Sequence, residues 1–362
     1  MATVNTTLAF EENIPLAPHT TIGLGGKARY YASCHSTEML KDVLQAAKDK
    51  NLPVHVLGGG SNTIFPDNGF SGLVIKVALK GMQFVKAEES IIARIAAGEN
   101  WDDFVERAIN DGFSGVECLS GIPGFVGATP IQNVGAYGQE VKDSIIQVKA
   151  IDRQSLDEVV FSNADCRFSY RQSRFKKDDA DKYIVTEVSF RLTPEGTAQI
   201  KYPELKKYLE STIDLSQLPP GKIQLQELRK AVITLRKKKS MVVDPTDPNT
   251  KSVGSFFLNP IVSKDEFERI KGLWKESGHT NGIPVFDAAT GVKIPAAWLI
   301  ANAGFEKGQR LNGAKISDHH SLALVNCGGT TADIVALAAL IRGGVHKVFG
   351  IHLEQEPIFV TE

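Results

Sequence analysis

The chain has 362 residues, of which 42% are hydrophobic and 23% are charged, and its formal net charge is −1. At about 150 residues per domain, this length predicts two or three domains with a substantial hydrophobic core. The near-neutral charge gives no global electrostatic attraction to nucleic acid or to an anionic membrane, so local clusters must hold any anionic ligand.

The four cysteines, Cys34, Cys118, Cys166 and Cys327, are not at metal-ligand spacing and form no CxxC motif. This spacing predicts reduced thiols rather than a zinc site or a disulfide framework. The N-terminal segment has no basic region followed by an apolar core, and the longest purely apolar run, 334–341, is too short to span a bilayer. We therefore expect a soluble, cytoplasmic protein with no metal.

The first half of the chain predicts a mixture of strands and helices. Apolar spacing predicts a helix over 36–50, capped by Ser36 or Thr37, and then a strand over 54–57. The further elements predicted are strands at about 72–77 and 91–97, a helix from Trp101, and strands at 145–151, 157–161 and 183–192.

Two prolines and a glycine within 213–222 predict a boundary between the halves. A helix follows, with Leu225, Leu228, Val232 and Leu235 on its inner face, and ends in the basic run 236–239. A second α+β unit is predicted over about 240–345. Its last helix is expected to be capped by Thr331, with an apolar stripe of Ile334, Val335, Ala338 and Ile341.

Two glycine-rich segments are candidate ligand loops. The first, GGGSN at 58–62, follows a strand and offers backbone N–H groups and two polar side chains to a phosphate. It lacks both the P-loop and the GxGxxG pattern, and a purely structural turn explains it about equally well. The second is the long structureless segment 119–138, in which Gln132 and Asn133 offer donors and acceptors to a heterocycle.

Three polar side chains are candidate reactive groups. Arg171 follows a tyrosine and suits bidentate recognition of a carboxylate, although a surface ion pair is the alternative. Ser255 lies between a glycine and two phenylalanines, which favours either a reactive hydroxyl in a dry site or a buried structural serine. Glu356 lies in an apolar C-terminal segment that is predicted as a strand. It is interpreted either as a functional carboxylate or as an exposed charge on an edge strand.

Two basic motifs have structural alternatives. The run 236–239 nearly circles its helix, so one or two of its side chains are expected to face a diphosphate site, although cations are also favoured at a helix C-terminus. The adjacent His319 and His320 have no suitably spaced metal-ligating partner, and we interpret them as structural.

Taken in order, these segments resemble the UDP-N-acetylenolpyruvoylglucosamine reductase family, whose activity is also called UDP-N-acetylmuramate dehydrogenase. The resemblance runs from TTIGLGGKARYY at 20–31 through LGGGSN, SGIPGFVGATPIQNVGAYGQE and FSYRQSRFK to GSFFLNP, IPAAWLIANAGF and the LEQE tail. It covers essentially the whole chain.

The resemblance implies an α+β fold, with a two-subdomain FAD-binding unit of the vanillyl-alcohol-oxidase (PCMH) type and a C-terminal α+β substrate-binding domain. The implied divisions are 1–75 and 76–222 for the two flavin subdomains, with the PCMH-type region at about 18–195. The substrate domain is 223–345, and 346–362 is a C-terminal strand carrying the glutamate.

The resemblance also implies the site residues. The catalytic positions are Arg171, Ser255 and Glu356. The substrate positions are Tyr170, Tyr202, Lys239, Asn259 and Asn302. The FAD positions are Gly58, Gly59, Gly60, Ser61, Asn62, Gly121, Ile122, Pro123, Gly124, Gly127, Ala128, Gln132, Asn133 and Gly135.

The chemistry implied is FAD-dependent reduction of UDP-N-acetylglucosamine enolpyruvate to UDP-N-acetylmuramate for peptidoglycan synthesis, with NADPH as reductant and FAD bound non-covalently. In the family, hydride moves from flavin N5 to the enolpyruvyl methylene carbon. Arg171 would then stabilise the enolate-like charge, aided by a protonated Glu356, and Ser255 would protonate the adjacent carbon. A monomer is expected.

Three features leave alternatives open. Pro357 and Ile358 follow Glu356 where the family commonly has Val-Arg, Glu354 competes for the same role, and Asn302 stands where a longer Gln or Glu is frequent. The alternative functions are an oxidase of the same flavin fold, which predicts reoxidation by oxygen, and a nucleotide-sugar or flavin-binding module without activity.

Overall fold

The structure, a computed structural model, describes residues 10–197, 200–278, 281–288 and 290–361. The helices within these ranges are α1 (Thr37–Asp49), α2 (Trp101–Asn110), α3 (Pro203–Thr212), α4 (Lys222–Lys238), α5 (Lys264–Glu276), α6 (Ala296–Asn302) and α7 (Thr331–Phe349). Short 3₁₀ turns connect several elements. Neither α7 nor any other helix in the described ranges has the length and apolarity needed to cross a bilayer.

The strands of the first part are β1 (Glu11–Pro15), β2 (Lys27–Cys34), β3 (Val54–Leu57), β4 (Thr63–Ile64), β5 (Phe70–Val77), β6 (Met82–Ala87), β7 (Ser90–Ala96), β8 (Phe113–Ser114), β9 (Gly135–Ala136), β10 (Gln139–Glu140), β11 (Ile145–Asp152), β12 (Glu158–Ser162) and β13 (Tyr183–Pro194). The strands of the second part are β14 (Ser252–Ser255), β15 (Ile261–Val262), β16 (Phe286–Ala288), β17 (Gly291–Lys293), β18 (Arg310–Leu311), β19 (Ala314–Ile316), β20 (Ala323–Asn326) and β21 (Ile358–Phe359).

The first sheet has the strand order β1-β2-β5-β3, in which β2, β5 and β3 are parallel and β1 is antiparallel to β2. Helix α1 connects β2 to β3. Its N-cap is Ser36, whose side chain accepts a hydrogen bond from the Met39 N–H, and its buried face carries Leu40 and Val43. The predicted helix, its cap and the strand over 54–57 are therefore confirmed.

The second sheet is antiparallel and has the order β12-β11-β13-β7-β6, with β8 added to β13. Helix α2 begins at Trp101, as predicted, because Asn100 caps it with two hydrogen bonds. Its buried residues Phe104, Val105, Ala108 and Ile109 lie in the core of the first part, beside Trp101 and Phe190. The strands predicted near 145, 157 and 183 are also confirmed.

Helix α4 packs on the first part of the chain. Its buried residues Leu228, Val232 and Leu235 form one cluster with Leu205 and Leu209 of α3. The boundary predicted at 222/223 lies directly before α4, although this packing joins α4 to the residues that precede it. The domain divisions stay a prediction.

The second part combines the sheet β14-β20-β19-β18, the small sheet β15-β17-β16 and helices α5, α6 and α7. Its core also contains Ile22, Leu24 and Ile64 from the first part, so one hydrophobic cluster joins the two parts. The α+β architecture expected from the sequence is confirmed.

Three predictions for the C-terminal segment were wrong in detail. The N-cap of α7 is Thr330 rather than Thr331, because Thr330 forms a reciprocal capping box with Asp333. Val335 is 43% exposed, and Leu337 takes its place in the buried stripe because it follows the spacing of Ile334 and Ile341. Helix α7 extends to 349, and the strand β21 begins only after Glu356, so that glutamate precedes the strand instead of lying within it.

Candidate active site

A cavity of about 1470 Å³ lies between the glycine-rich loops of the first part and the edge of the second part. Drug-sized ligands occupy cavities of roughly 300–1,000 Å³, so this one has room for a dinucleotide together with a second ligand. Its wall includes residues from β3, the 122–140 segment, the turn around 171, the start of α3, the end of α4, β14 and the C-terminal tail.

The GGGSN loop forms one end of this wall. None of the five backbone N–H groups of residues 58–62 donates a hydrogen bond within the described residues. Gly60 has a φ of +66°, and a Cβ there would collide with the carbonyl oxygen of His19, so only glycine fits. A run of unpaired N–H groups at a cavity wall is a binding site for the oxygens of a diphosphate.

The polar side chains of this loop tie it to the second glycine-rich segment. The Ser61 hydroxyl donates to the Pro123 carbonyl at 3.0 Å, and the Asn62 amide donates to the Gln132 side chain at 2.8 Å. A Cβ on Gly59 would lie 2.7 Å from the Cα of Gly124, so the two backbones meet at van der Waals distance. The loops are thus packed as one rigid surface facing the cavity.

Most residues predicted to hold a cofactor line this cavity. They are Gly58, Gly59, Gly60, Ser61, Asn62, Ile122, Pro123, Gly124, Gly127, Ala128, Gln132 and Gly135. The unpaired N–H groups, the close-packed glycines and the donor set fit a flavin dinucleotide.

Two predicted cofactor residues lie behind the cavity wall. The side chain of Asn133 is fully buried and donates to Glu140 and to the Ser169 carbonyl, so its amide holds the loop together. The Gly121 N–H donates to Asp102 at 2.6 Å on the side of α4. Both positions support the loop without facing the ligand space.

Arg171 occupies the tightest turn of the site. Its φ is +54°, within a turn closed by reciprocal hydrogen bonds between Ser169 and Gln172. Its guanidinium donates to the carbonyls of Asn133 at 3.3 Å and Gly135 at 2.5 Å. Two of its three nitrogens are thereby fixed, and the cation is held in one orientation.

Glu356 meets Arg171 from the C-terminal tail. The Glu356 Oε1 lies 3.3 Å from the Arg171 Nε, and the Glu356 N–H donates to the Phe256 carbonyl. Burial raises the pKa of this carboxyl above its ordinary value, while the charges of Arg171 and Lys176 oppose that shift. The site therefore combines a fixed cation with a carboxyl whose protonated form is favoured by burial.

Ser255 ends β14, where it pairs with Ala323 of β20 and lines the same cavity. It follows Gly254, whose φ is +77°, and precedes Phe256 and Phe257, which are 0% and 1% exposed. Within the described residues, the Ser255 hydroxyl has no hydrogen-bond partner. A hydroxyl at the cavity wall, at the end of β14 and next to two buried phenylalanines, is available to a ligand.

The five predicted substrate residues divide into two groups. Tyr170, Tyr202, Lys239 and Asn259 line the cavity. Asn302 does not, because its amide donates to the Trp298 carbonyl within α6. A side chain as short as asparagine bonds its own helix at this position instead of reaching the cavity.

Tyr202 and Lys239 both lie beside Tyr137 in the cavity wall. The Tyr202 and Tyr137 rings meet edge to face, with centroids 5.4 Å apart. The Lys239 ammonium lies 2.6 Å from Glu204 and 5.9 Å from the centroid of the Tyr137 ring. In the basic run, Arg236 and Lys239 line the cavity and Lys237 and Lys238 are exposed, which agrees with the expectation that one or two of the four face it.

Sequence reasoning missed several ionisable side chains in the cavity wall. These are His55, Arg153, Lys176 and Lys293; His320, which was interpreted from the sequence as structural, also lines the wall. Burial lowers the pKa of His320 to about 4, and the charges of Lys239, Lys307 and Arg236 act in the same direction. Lys176 stood within the FSYRQSRFK motif and was the one with a local signal; the others have no distinctive neighbours. No cluster of three metal-ligating side chains occurs in the described ranges.

Comparison with known proteins gives a consistent result over the whole chain. Residues 28–155 match the family model of an FAD binding domain, and residues 244–360 match that of the UDP-N-acetylenolpyruvoylglucosamine reductase C-terminal domain. The reductase of that name from Thermobifida fusca is 45% identical over 98% of this chain and 99% of its own length. The one from Mycobacterium tuberculosis is 43% identical over 96% and 95%.

A solved structure shows the same fold. The crystal structure of the UDP-N-acetylenolpyruvylglucosamine reductase from Thermus caldophilus superimposes with a TM-score of 0.64 at 24% identity, covering 98% of this chain and 99% of that one. The FAD-binding unit of the vanillyl-alcohol-oxidase type and the C-terminal α+β domain expected from the sequence are confirmed.

Proposed function

This chain belongs to the UDP-N-acetylenolpyruvoylglucosamine reductase family, a family of flavin oxidoreductases in peptidoglycan synthesis. From that premise we propose that it reduces UDP-N-acetylglucosamine enolpyruvate to UDP-N-acetylmuramate with NADPH. The observation that carries the proposal is the meeting of Arg171, Glu356 and Ser255 in one cavity with the glycine loops that fit a dinucleotide.

The chain's own residues would hold FAD without a covalent bond. The unpaired N–H groups of 58–62 would bind the diphosphate, and Gln132 and Gly135 would lie along the ring system. When bound there, FAD would accept reducing equivalents from NADPH and supply a hydride to the methylene carbon of the enolpyruvyl group.

Arg171 would stabilise the negative charge that develops on the substrate carboxylate once that carbon–hydrogen bond forms. Such a role requires a cation that stays charged and does not move, since stabilisation is greatest when the donor is already oriented. The two carbonyl hydrogen bonds of the Arg171 guanidinium supply that fixed orientation.

Glu356 would contribute as a protonated carboxyl. An ionised carboxylate beside the same developing charge would oppose the reaction, whereas a protonated one donates a hydrogen bond to it. Burial raises the pKa of Glu356 and so favours the protonated form.

Ser255 would deliver the proton that completes the saturated product. Its hydroxyl is a weak acid in water, but the enolate-like carbon is a strong base and the hydroxyl is positioned at the cavity wall. The proton leaves the Ser255 oxygen and forms the new bond at the carbon adjacent to the reduced one.

The nucleotide of the substrate would lie toward Tyr202, Lys239 and Asn259. Lys239 provides a cation for the diphosphate, and Tyr202 offers an aromatic face at the start of α3. The Asn259 side-chain oxygen accepts the Ala296 N–H, and the same side chain interacts with the Tyr170 hydroxyl, so the amide is held in one orientation at the cavity wall.

Flavin absorbance under anaerobic conditions tests this proposal. We expect NADPH to bleach the flavin of the wild-type protein, and the enolpyruvyl sugar nucleotide to restore its colour rapidly. In Ser255→Ala, bleaching should be unchanged and recovery about 10²-fold or more slower, because only the second half-reaction needs the proton. Bleaching without recovery in the wild-type protein would reject this substrate. Equal recovery in Ser255→Ala would reject Ser255 as the donor.

A further inference from the structure

We propose that Lys176 is a positioning residue for this reaction, acting through Arg171 and Glu356; the inference rests on the proposed function. Lys176 lies five residues after Arg171, lines the same cavity and is partly buried. None of the roles described above uses it.

The first part of its role is geometric. The Lys176 ammonium donates to the carbonyl oxygen of Arg171 at 3.4 Å. That carbonyl belongs to a residue with a φ of +54°, a left-handed conformation that is unfavourable for a residue with a side chain. A cation bonded to this carbonyl stabilises the turn that aims the guanidinium into the cavity.

The second part is electrostatic. Glu356 faces the charges of Arg171 and Lys176 and interacts with Tyr170, while Lys176 faces Glu356, Glu354 and Arg171. Burial lowers the pKa of Lys176 and raises the pKa of Glu356. The charge of each group counteracts the pKa shift that burial causes in the other. Loss of the Lys176 charge would remove a cation that lowers the pKa of Glu356, and the carboxyl would hold its proton to higher pH.

Lys177 supplies the matched control. It has the same side chain at the next position, but it is exposed and does not line the cavity. Lys177→Met removes a positive charge away from the cavity, and Lys176→Met removes one beside Glu356, so the two variants can be compared directly.

The test compares Lys176→Met, Lys176→Arg and Lys177→Met as FAD-loaded enzymes. In Lys176→Met we expect kcat to fall about 10-fold to 100-fold because the turn that holds Arg171 loses its bonded cation, with KM changed by less than about threefold. The accompanying rise in the pKa of Glu356 favours its protonated form and is not the cause of this loss. Bleaching by NADPH and flavin content should match the wild type. Lys176→Arg should recover most of kcat, and Lys177→Met should behave as the wild type.

The protonation of Glu356 can also be measured directly, without turnover. The infrared carbonyl band of its protonated carboxyl, assigned by its loss in Glu356→Gln, is titrated in each variant. We expect the midpoint to move to higher pH in Lys176→Met, and the Glu356-dependent limb of the activity profile to move with it. The sign follows because removing a nearby cation disfavours the ionised carboxylate.

An unchanged Glu356 midpoint together with a kcat equal to that of Lys177→Met would overturn the inference. A lower activity with an unmoved midpoint and no recovery in Lys176→Arg would also overturn it, because it would indicate a general structural defect. If the wild-type protein fails to turn over the sugar nucleotide, the proposed function is rejected, while the infrared midpoint still decides whether Lys176 acts on Glu356.

Discussion

At the residue scale, the ionisable groups of the cavity wall differ in how they tolerate burial. Arg171 and Glu356 are 20% and 13% exposed, and the Arg171 Nε lies 3.3 Å from the Glu356 Oε1, so each has a polar partner. His55 has no such partner: its ring lies edge-on to Phe65 with centroids 5.2 Å apart, and its Nε2 is buried without a hydrogen-bond partner within the described residues. Desolvation of a largely buried imidazole favours its neutral form.

Stability should therefore depend on pH through His55. Burial lowers the pKa of His55 to about 4, from an ordinary value of 6.5. The unfolded chain takes up a proton below pH 6.5, whereas the folded chain does so only below about 4. The free energy of unfolding thus falls as the pH falls through this window, by about 3 kcal/mol at most for this group.

Chemical denaturation of the FAD-saturated protein between pH 7.5 and 4.5 measures this effect. His55→Leu should lose less stability than the wild type over that range. The loss that remains should include the contribution of His320, because burial lowers the pKa of that residue too. Parallel curves for wild type and variant would contradict the assignment.

At the element scale, the helix ends show how the two parts of the chain are joined. The first N–H groups of α7 are bonded not only by its own capping box but also by Asp67, which precedes β5. The Asp67 carboxylate accepts the Thr331 N–H at 2.7 Å and the Ala332 N–H at 3.0 Å. A carboxylate at a helix N-terminus accepts hydrogen bonds from the unpaired N–H groups and interacts favourably with the positive end of the helix dipole.

Asp67→Ala should lower the free energy of unfolding by about 1–2 kcal/mol, since two N–H donors of α7 lose their partner. Asp67→Asn, which keeps one acceptor oxygen but not the charge, should lose about half as much. Urea titration with equal m-values for all three proteins would make the comparison valid. A stability of Asp67→Ala equal to that of the wild type would show that water replaces the carboxylate without cost.

At the scale of the whole molecule, the cavity is made by both parts and closed by the C-terminal tail. β21 pairs in parallel with β4, and the Asn62 side chain donates to the Glu356 carbonyl at 3.3 Å. The core of the second part includes Ile22 and Leu24 from the N-terminal segment. A ligand in the cavity therefore contacts elements that are far apart in the chain.

FAD should stabilise the molecule as one unit. At a free concentration of 100 times its Kd, a ligand that binds only the folded state raises the free energy of unfolding by about 2.7 kcal/mol. We expect the protein stripped of flavin to melt at a lower temperature, and added FAD to raise a single transition. FMN lacks the adenylate half of FAD and should raise the transition less. Two separate transitions, of which FAD moved one, would show that the parts unfold independently.

Much of the site could be predicted from the sequence because its loops are local. Gly59, Gly60, Gly124 and Gly127 are required by close contacts with neighbouring segments. The helices α1 and α2 begin at caps that stand next to them in the chain. The departures also have local physical causes. Asn133 turns inward to Glu140 and Ser169, and Asn302 bonds its own helix, although both have polar side chains suited to a ligand.

The sequence by itself determined the α+β class, the order of most elements and the polar residues from which the site is built. These features depend on periodicity, caps and turns that act over a few residues. Only the tertiary structure decided that Arg171 meets Glu356, that Lys176 bonds the Arg171 carbonyl, and that Asp67 caps α7. These contacts depend on side-chain orientation and on how β4 and β21 pair, because they form only when both parts of the chain pack around one cavity.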